Sequence, residues 1–391
     1  MRRRLTARTK NGPMWASAPT SGRIQVGRGQ GSPIRSKERG TAGDRKGRPY
    51  AAENGSSWTP TPTEESGSPR RILCAVLAAL LAVLLCGCGV NGGRAESSAP
   101  TKENKPIRVV CTLFPYYDFA RAIGGDDAEV TLLVAAGKEA HSFEPTPLDV
   151  IRLSKADVFL YNGGESEKWV EDILDAAGES IKVTAAMMDL VDPEEEEFVE
   201  GMQVGEHDED GEEEEIEYDE HIWTSPLLVM DICRGICDAL CQADPEHTEN
   251  YEVRLTAYLG ALEELDAAFR EVAEEAAHRT LLFGDRFPLL YFAKTYGFDY
   301  RAAFHGCASD TEPSLATLKY LIDKVNTEKI PAIYTIELSN RKIAQAIAET
   351  TGAKILTFQS CQTVSREDFE NGETYLSLME RNVEALREGT K

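Results

Sequence analysis

The sequence has few basic residues for its acidic content, few histidines and only one long apolar run. Its 391 residues include 42 Lys and Arg against 66 Asp and Glu, a net charge of −24, which argues against a general nucleic-acid-binding protein. A single apolar run excludes a channel with several membrane spans. The GxSxG, HExxH and P-loop motifs are also missing, so the enzyme classes that depend on them have no support. These absences favour a protein that is not an enzyme.

The charge that is present is distributed unevenly. Residues 1–71 carry a net charge of +10, residues 72–87 carry none, and residues 88–391 carry −34. A basic head, an apolar run and an acidic body are typical of an exported protein. Residues 1–69 are rich in Gly, Ser, Thr, Pro and Arg without a hydrophobic period, which predicts a disordered head. A translation start placed too far upstream would explain it, and a basic nucleic-acid arm is the alternative.

The apolar run has the organisation of a lipoprotein signal peptide, predicted over residues 70–87. Arg70 and Arg71 precede an uncharged run of about 16 residues, shorter than the ~20 that a membrane-spanning helix needs. The run ends in Leu85-Cys86-Gly87-Cys88, which resembles the bacterial lipobox and implies lipidation of Cys88. Residues 88–106 then form a polar tether. We expect an extracytoplasmic body that is lipid-anchored to the cell membrane, with a plain membrane anchor as the alternative.

The body alternates short apolar runs with segments of helical periodicity, which predicts an α/β fold with parallel sheets. The predicted strands are 109–114, 129–134, 157–161, 182–185, 280–284, 300–304, 332–337 and 354–358. An unusually long apolar stripe predicts one helix over 245–278 that links two parallel-sheet lobes, 107–244 and 279–391. Such sheets bind ligands at the carboxyl ends of their strands, so a cleft between the lobes is expected. A continuous helix is a stiff hinge, so capture should need little closure.

Two other patterns in the body allow more than one interpretation. Residues 193–220 contain 16 Asp and Glu, which predicts a solvated loop because like charges repel. With His207 among them, a cation-gathering role is equally open. Cys233, Cys237 and Cys241 share one face of a predicted helix. That stripe is either a face packed on the core, which we favour, or a thiolate metal site.

Several motifs in a fixed order resemble the metal-specific substrate-binding lipoproteins of ABC importers, the zinc and manganese type. They cover residues 106–388. The motifs are Thr112-Leu113-Phe114-Pro115-Tyr116-Tyr117-Asp118, Gly137-Lys138-Glu139-Ala140-His141, Tyr161-Asn162-Gly163, Asp219-Glu220-His221-Ile222-Trp223, Tyr291-Phe292-Ala293 and Tyr375-Leu376-Ser377. The resemblance implies two α/β lobes joined by a long helix with a metal cleft between them, and a partner permease in the membrane.

His141 and His221 match positions that bind metal in that family. Neutral imidazole is a good ligand for Zn²⁺, and two imidazoles with oxygen ligands also suit Mn²⁺ or Fe²⁺. The resemblance therefore predicts that these two histidines hold a divalent ion, with zinc favoured. A buried structural or a surface role is the alternative for each histidine taken alone.

The rest of the expected ligand set departs from the family pattern. Where a third ligand is usual the chain has Arg286, which cannot bind a cation, so the neighbouring Asp285 is the predicted third ligand. A helix-capping or Arg-paired carboxylate is the alternative for Asp285. In the segment after the last strand, Gln359 offers a carbonyl oxygen and is the predicted fourth ligand. Cys361 in the same segment is more simply a packed thiol.

These observations predict a monomeric, extracytoplasmic receptor that captures a divalent transition metal, most simply Zn²⁺, and delivers it to an ABC permease. Its partners would be the ion, the permease and the membrane that holds its lipid anchor, without nucleic acid. The alternative is an adhesin or envelope interaction protein on the same fold, in which the metal site has decayed at Arg286 and Gln359.

Overall fold

The structure, a computed structural model, describes residues 105–178, 180–202, 217–308 and 312–391. The predicted head, the signal peptide, Cys88 and nearly all of the tether lie outside these residues, as does His207. No helix within the described ranges is both long and apolar enough to cross a membrane.

In the part of the chain that the structure describes, eight strands form two four-stranded sheets, each wholly parallel. The strands are β1 (Ile107–Cys111), β2 (Ala128–Leu132), β3 (Val158–Tyr161), β4 (Val183–Ala186), β5 (Thr280–Phe287), β6 (Asp299–His305), β7 (Ala332–Thr335) and β8 (Lys354–Thr357). The strand order is β2-β1-β3-β4 in the first sheet and β6-β5-β7-β8 in the second. The predicted parallel α/β fold with two lobes is confirmed.

Ten helices cover and connect these sheets within the described residues. They are α1 (Phe114–Gly124), α2 (Pro147–Leu153), α3 (Trp169–Ala177), α4 (Pro226–Ala243), α5 (Thr248–Glu275), α6 (Leu290–Tyr296), α7 (Leu315–Glu328), α8 (Lys342–Thr351), α9 (Arg366–Glu370) and α10 (Tyr375–Gly389). Their starts follow local chemistry. Thr146 and Asp149 form a capping box at α2, and Thr374 and Ser377 cap α10 reciprocally.

Both sheets reverse their strand order at the same place, and this fixes where a ligand can bind. In the first sheet β2 and β3 flank β1, and in the second β6 and β7 flank β5. Chain segments that leave neighbouring strands in opposite directions open a crevice at the carboxyl edge of the sheet. The segments after β2 and β6 therefore begin at matching positions in the two lobes.

One continuous core joins the two lobes along α5. This helix has 28 residues and a length of about 42 Å at ~1.5 Å per residue. Its buried stripe includes Leu262 and Phe269, and it packs on α1 and α4 of the first lobe and on α6 and α10 of the second. A single cluster of buried apolar side chains contains Val109 and Val158 of one lobe together with Phe283 of the other. The lobes therefore share this core, and each lobe also has a smaller apolar cluster of its own, around Phe159 in the first and Phe304 in the second.

The cysteine stripe of α4 belongs to this core. Cys233 and Cys237 are buried within the apolar cluster, and Cys241 packs against it. Burial raises the pKa of the Cys233 thiol well above its ordinary value, which keeps the thiol protonated and apolar. The packing interpretation of the stripe is confirmed.

The described part of the acidic segment, residues 193–202 and 217–220, is a largely exposed loop, as its charge predicts, but ion pairs hold it against the second lobe. Lys294 of α6 pairs with Glu194 and Glu197 at 2.7 Å each, and Glu196 accepts a hydrogen bond from His305 at 2.9 Å. The repulsion argument considered only the charges within the segment. Cationic and polar side chains of the second lobe offset that repulsion and fix these residues against it.

Candidate metal centre

Three side chains that offer metal-binding atoms converge between the lobes. They are His141 after β2, His221 shortly before α4, and Cys307 after β6. One nitrogen of each imidazole and the sulfur of Cys307 all lie within 4.8 Å of one another. The two imidazole rings are 5.5 Å apart between centroids and meet edge to face at 61°. One ion could contact all three after small side-chain rotations.

His221 is held in an orientation that suits metal binding. The residue is fully buried, and its Nδ1 lies 3.2 Å from Oδ1 of Asp219, which also accepts the main-chain N–H of His221 at 2.8 Å. Among the described residues, Nε2 of His221 has no hydrogen-bond partner. A buried polar atom without a partner is costly, and a carboxylate on the far ring nitrogen is the usual support of a metal-binding histidine. The arrangement leaves Nε2 available for an ion.

His141 contacts the second lobe through Gln362. The amide nitrogen of Gln362 lies 3.0 Å from Nε2 of His141, and this amide donates the hydrogen bond because it has no lone pair to accept one. Burial, together with the nearby His221 and Arg286, lowers the pKa of His141 to about 3. The imidazole is therefore neutral at physiological pH, which is the form that binds metals.

The predicted third ligand, Asp285, does not belong to this group of converging donor atoms. Asp285 lies within β5 and lines the same cavity as His141, a space of about 330 Å³. Its Oδ1 accepts the main-chain N–H of Arg286, and its buried Oδ2 has no hydrogen-bond partner among the described residues. The main chain of Gln359 is bonded to Asn382. Gln362, three residues further on, is the glutamine that contacts His141.

Arg286 forms an ion pair across the cleft. Its Nη2 lies 2.9 Å from Oε2 of Glu139 in the first lobe, and its Nη1 donates to the carbonyl of Ala308 at 3.4 Å. The carboxylate of Glu139 offsets the positive charge beside the three donors. Arg286 therefore acts as a contact between the lobes. The sequence alone does not identify the acidic residue with which it pairs.

The loop that carries His221 is bonded to both lobes. Tyr291 of α6 donates to the carbonyl of Asp219 at 2.6 Å, and Asn162 after β3 donates to the carbonyl of Glu220 at 3.0 Å. Nε1 of Trp223 donates to the carbonyl of Ser360 in the second lobe at 2.8 Å. Side chains from several of the sequence motifs thus bond to the main chain of the loop that carries His221 and hold this loop in place.

The comparisons with known proteins agree with this geometry. A family model described as the zinc-uptake complex component A, periplasmic, matches residues 109–389. The chain belongs to this family. The match spans both sheets, α5 and all three converging side chains, so the family assignment covers the whole candidate site.

Individual relatives of this family carry names that refer to zinc. The chain is 32% identical over 319 residues to the zinc-binding lipoprotein AdcA of Streptococcus pneumoniae, covering 81% of this chain and 60% of AdcA. It is 30% identical to the high-affinity zinc uptake system protein ZnuA of Bacillus subtilis, covering 81% of this chain and 96% of ZnuA. The chain thus spans less than two thirds of AdcA but nearly all of ZnuA.

A solved structure of the same kind has a closely similar fold. The Zn(II)-bound ZnuA-like domain of S. pneumoniae AdcA is 30% identical to this chain and superposes with a TM-score of 0.59. The match covers 73% of this chain and 99% of that domain. A protein domain with this fold, from AdcA, has therefore been observed with zinc bound.

The Asp219 carboxylate should matter for metal affinity although it is not a predicted ligand. We expect Asp219→Asn to weaken zinc binding by about 10- to 100-fold, because loss of the charge lowers the basicity of His221 and loosens its orientation. Competition with a fluorescent zinc chelator measures the dissociation constant. Glu194→Gln is the matched control, since Glu194 pairs with Lys294 in the same segment and does not contact His221. An unchanged zinc affinity in Asp219→Asn would contradict this role.

Proposed function

We propose that the chain is an extracytoplasmic receptor that captures Zn²⁺ between its lobes and delivers it to a membrane permease of an ABC importer. One observation carries the proposal: His221 is fully buried with Nε2 unpartnered, and His141 lies beside it with a neutral ring. Two convergent neutral imidazoles favour a borderline divalent cation over Ca²⁺ or Mg²⁺. The chain's role in this proposal is binding rather than catalysis.

The names of the relatives support zinc as the ion, with Mn²⁺ and Fe²⁺ as alternatives that two histidines and oxygen ligands would also suit. His141 and His221 are the proposed ligands, with Asp285 a candidate because its Oδ2 is buried and unpartnered in the same cavity. Gln359 stays a weaker candidate, since its side chain offers only a neutral carbonyl oxygen.

The membrane attachment and the assembly state are part of the same proposal. Cys88 would be lipidated once cleavage before it has removed the signal peptide, residues 70–87, with the residues that precede it, and residues 88–106 would tether the body to the membrane surface. Lobes 107–244 and 279–391, joined by the helix within 245–278, would act as a monomer. The loaded protein would then dock on the permease, and release of the ion would follow.

Calorimetric titration of the full chain with Zn²⁺ and, separately, Mn²⁺ tests the proposed function. We expect a zinc dissociation constant of micromolar or below, a binding free energy of about −8 kcal/mol or more favourable. Metal analysis of protein purified without chelator should find zinc. Affinities weaker than about millimolar for both ions, near −4 kcal/mol, would reject a transport receptor.

The adhesin alternative predicts a different outcome of the same titration. It requires a metal site that no longer functions, and it was suggested by Arg286 and Gln359 in place of the usual ligands. Arg286 has a partner of its own in Glu139, and two histidines and a thiol converge beside it. These contacts favour a working site over a decayed one.

A further inference from the structure

We propose that the sulfur of Cys307 is the third protein ligand of the captured ion, and that this thiolate makes the site select zinc over manganese. The inference rests on the proposed function, because it concerns the ligands of the same ion. It goes beyond the sequence-based ligand set, in which Asp285 and Gln359 complete the site and Cys307 has no role.

The first argument is position. Cys307 follows β6 and His141 follows β2, and these two strands occupy matching edge positions in their sheets. The crevice at the carboxyl ends thus receives one metal-binding side chain from each lobe, with the buried Nε2 of His221 unpartnered among the described residues. Donor atoms of the three residues lie within 4.8 Å of one another, although the residues are 80 and more positions apart in the sequence.

The second argument is the close approach that Gly306 allows. A Cβ atom at Gly306 would lie 3.0 Å from Cε1 and 3.2 Å from Nδ1 of His221. Glycine lets the segment after β6 lie directly against this ring, where a side chain would force the ring or the segment to shift by a few tenths of an ångström. The adjacent Cys307 thereby lies next to the imidazole of His221.

The third argument is the surroundings of the sulfur. The main-chain N–H of Glu220 hydrogen-bonds to Cys307, and the carboxylates of Glu196, Glu220 and Asp219 lie near its sulfur. When a dication binds beside the sulfur, the S–H bond breaks, the proton leaves to solvent, and the sulfur lone pair forms the bond to the metal. The same carboxylates then favour the added positive charge.

The chemistry of this donor set gives the selectivity. Two imidazoles and one thiolate leave a fourth position for water or a carboxylate, which suits the tetrahedral preference of Zn²⁺. Thiolate is a soft ligand that favours zinc, whereas Mn²⁺ prefers carboxylate, carbonyl and water oxygens in octahedral geometry. We therefore expect discrimination against manganese to depend on residue 307.

The test uses the full chain, kept reduced, with Co²⁺ as a spectroscopic probe and Zn²⁺ and Mn²⁺ as competing ions. The wild type should show near-ultraviolet sulfur-to-cobalt charge-transfer absorption, and Cys307→Ser should lose it. Cys307→Ser should also weaken zinc binding by at least about tenfold while changing manganese affinity much less, because a hydroxyl replaces the thiolate. Cys241→Ser, a half-buried cysteine of α4, is the matched control and should keep both the band and the zinc affinity.

The outcomes separate this inference from the proposed function. Tight zinc binding without the charge-transfer band, or with full zinc affinity in Cys307→Ser, overturns the sulfur ligand and leaves the receptor proposal standing. Absence of zinc binding in the wild type overturns both. Should Cys307→Ser fail to fold, X-ray absorption at the zinc edge of the wild type decides the question, since one sulfur at ~2.3 Å is expected beside nitrogens at ~2.0–2.1 Å.

Discussion

Replacement of His221 by alanine is expected to abolish the thermal stabilisation by zinc that the proposed function predicts. At zinc concentrations about a hundred times the dissociation constant, a single site adds about 2.7 kcal/mol to the free energy of unfolding. His221 is the donor with the clearest preparation for an ion, because Asp219 holds one ring nitrogen and the other is buried without a partner in the described residues. Without His221, only two of the three converging side chains remain, His141 and Cys307. Two protein ligands are too few to hold the ion tightly.

The measurement is the difference in melting temperature with and without zinc for each variant. Taking the difference corrects for any loss of stability in the metal-free state, where removal of a buried ring leaves a cavity. His141→Ala should show the same loss. His278→Gln is the control, since His278 precedes β5 at the end of the sheet opposite the metal centre. Zinc stabilisation equal to that of the wild type in His221→Ala would show that the ion binds elsewhere.

The second large effect is expected from Trp223, which joins the His221 loop to the second lobe. Its ring is fully buried, its Nε1 donates to the carbonyl of Ser360, and its own carbonyl accepts the hydroxyl of Tyr375 at 2.8 Å. Trp223→Ala should lower the free energy of unfolding by about 3–5 kcal/mol, the usual cost of removing a large buried aromatic side chain. Urea unfolding followed by circular dichroism gives this value.

Trp223→Phe separates packing from hydrogen bonding. It retains most of the ring contacts, among them the edge-to-face contact with Tyr116, but leaves the carbonyl of Ser360 without its donor. We expect a smaller loss of about 1–3 kcal/mol. If Trp223→Ala unfolds at the same urea concentration as the wild type, the side chain does not hold the lobes together.

Much of the fold could be predicted because strands buried on both faces produce short apolar runs that few other structures produce. Residues 109–111 of β1 and Val158–Tyr161 are such runs, and the predicted strand positions lie within a few residues of the observed ones. The end of β5 was harder to predict from the apolar pattern. The strand continues through Gly284, Asp285 and Arg286 to Phe287, with an irregular register opposite β6, and the apolar pattern stops before that point.

The metal centre was predictable in part, and the reason is the range of the contacts involved. His141 and His221 lie in motifs that mark their segments locally, and the structure brings their rings together. Cys307 has no such motif, and only its place after β6 could have indicated it. Its neighbours in space come from segments more than 80 residues away, which local patterns do not report. Asp219 lies inside a recognised motif, but its role depends on the direction of the His221 ring.

The acidic segment shows the same limit of prediction from local sequence. Its composition predicts repulsion and solvation, and both follow correctly from the charges counted along the chain. Lys294 and His305, which fix its described part, lie about 100 residues further on. Charge counting cannot include partners whose positions are set by the fold.

The continuous α5 and the core shared by the two halves bear on how an ion held in the proposed site would leave. A wide separation of the halves would expose shared apolar side chains such as Leu262, Phe269 and Phe283 to water, which costs free energy. Smaller movements within the cleft avoid that cost. The ion pair of Arg286 with Glu139 and the hydrogen bond of Gln362 with His141 lie beside the proposed site, and both can break while the shared core stays intact.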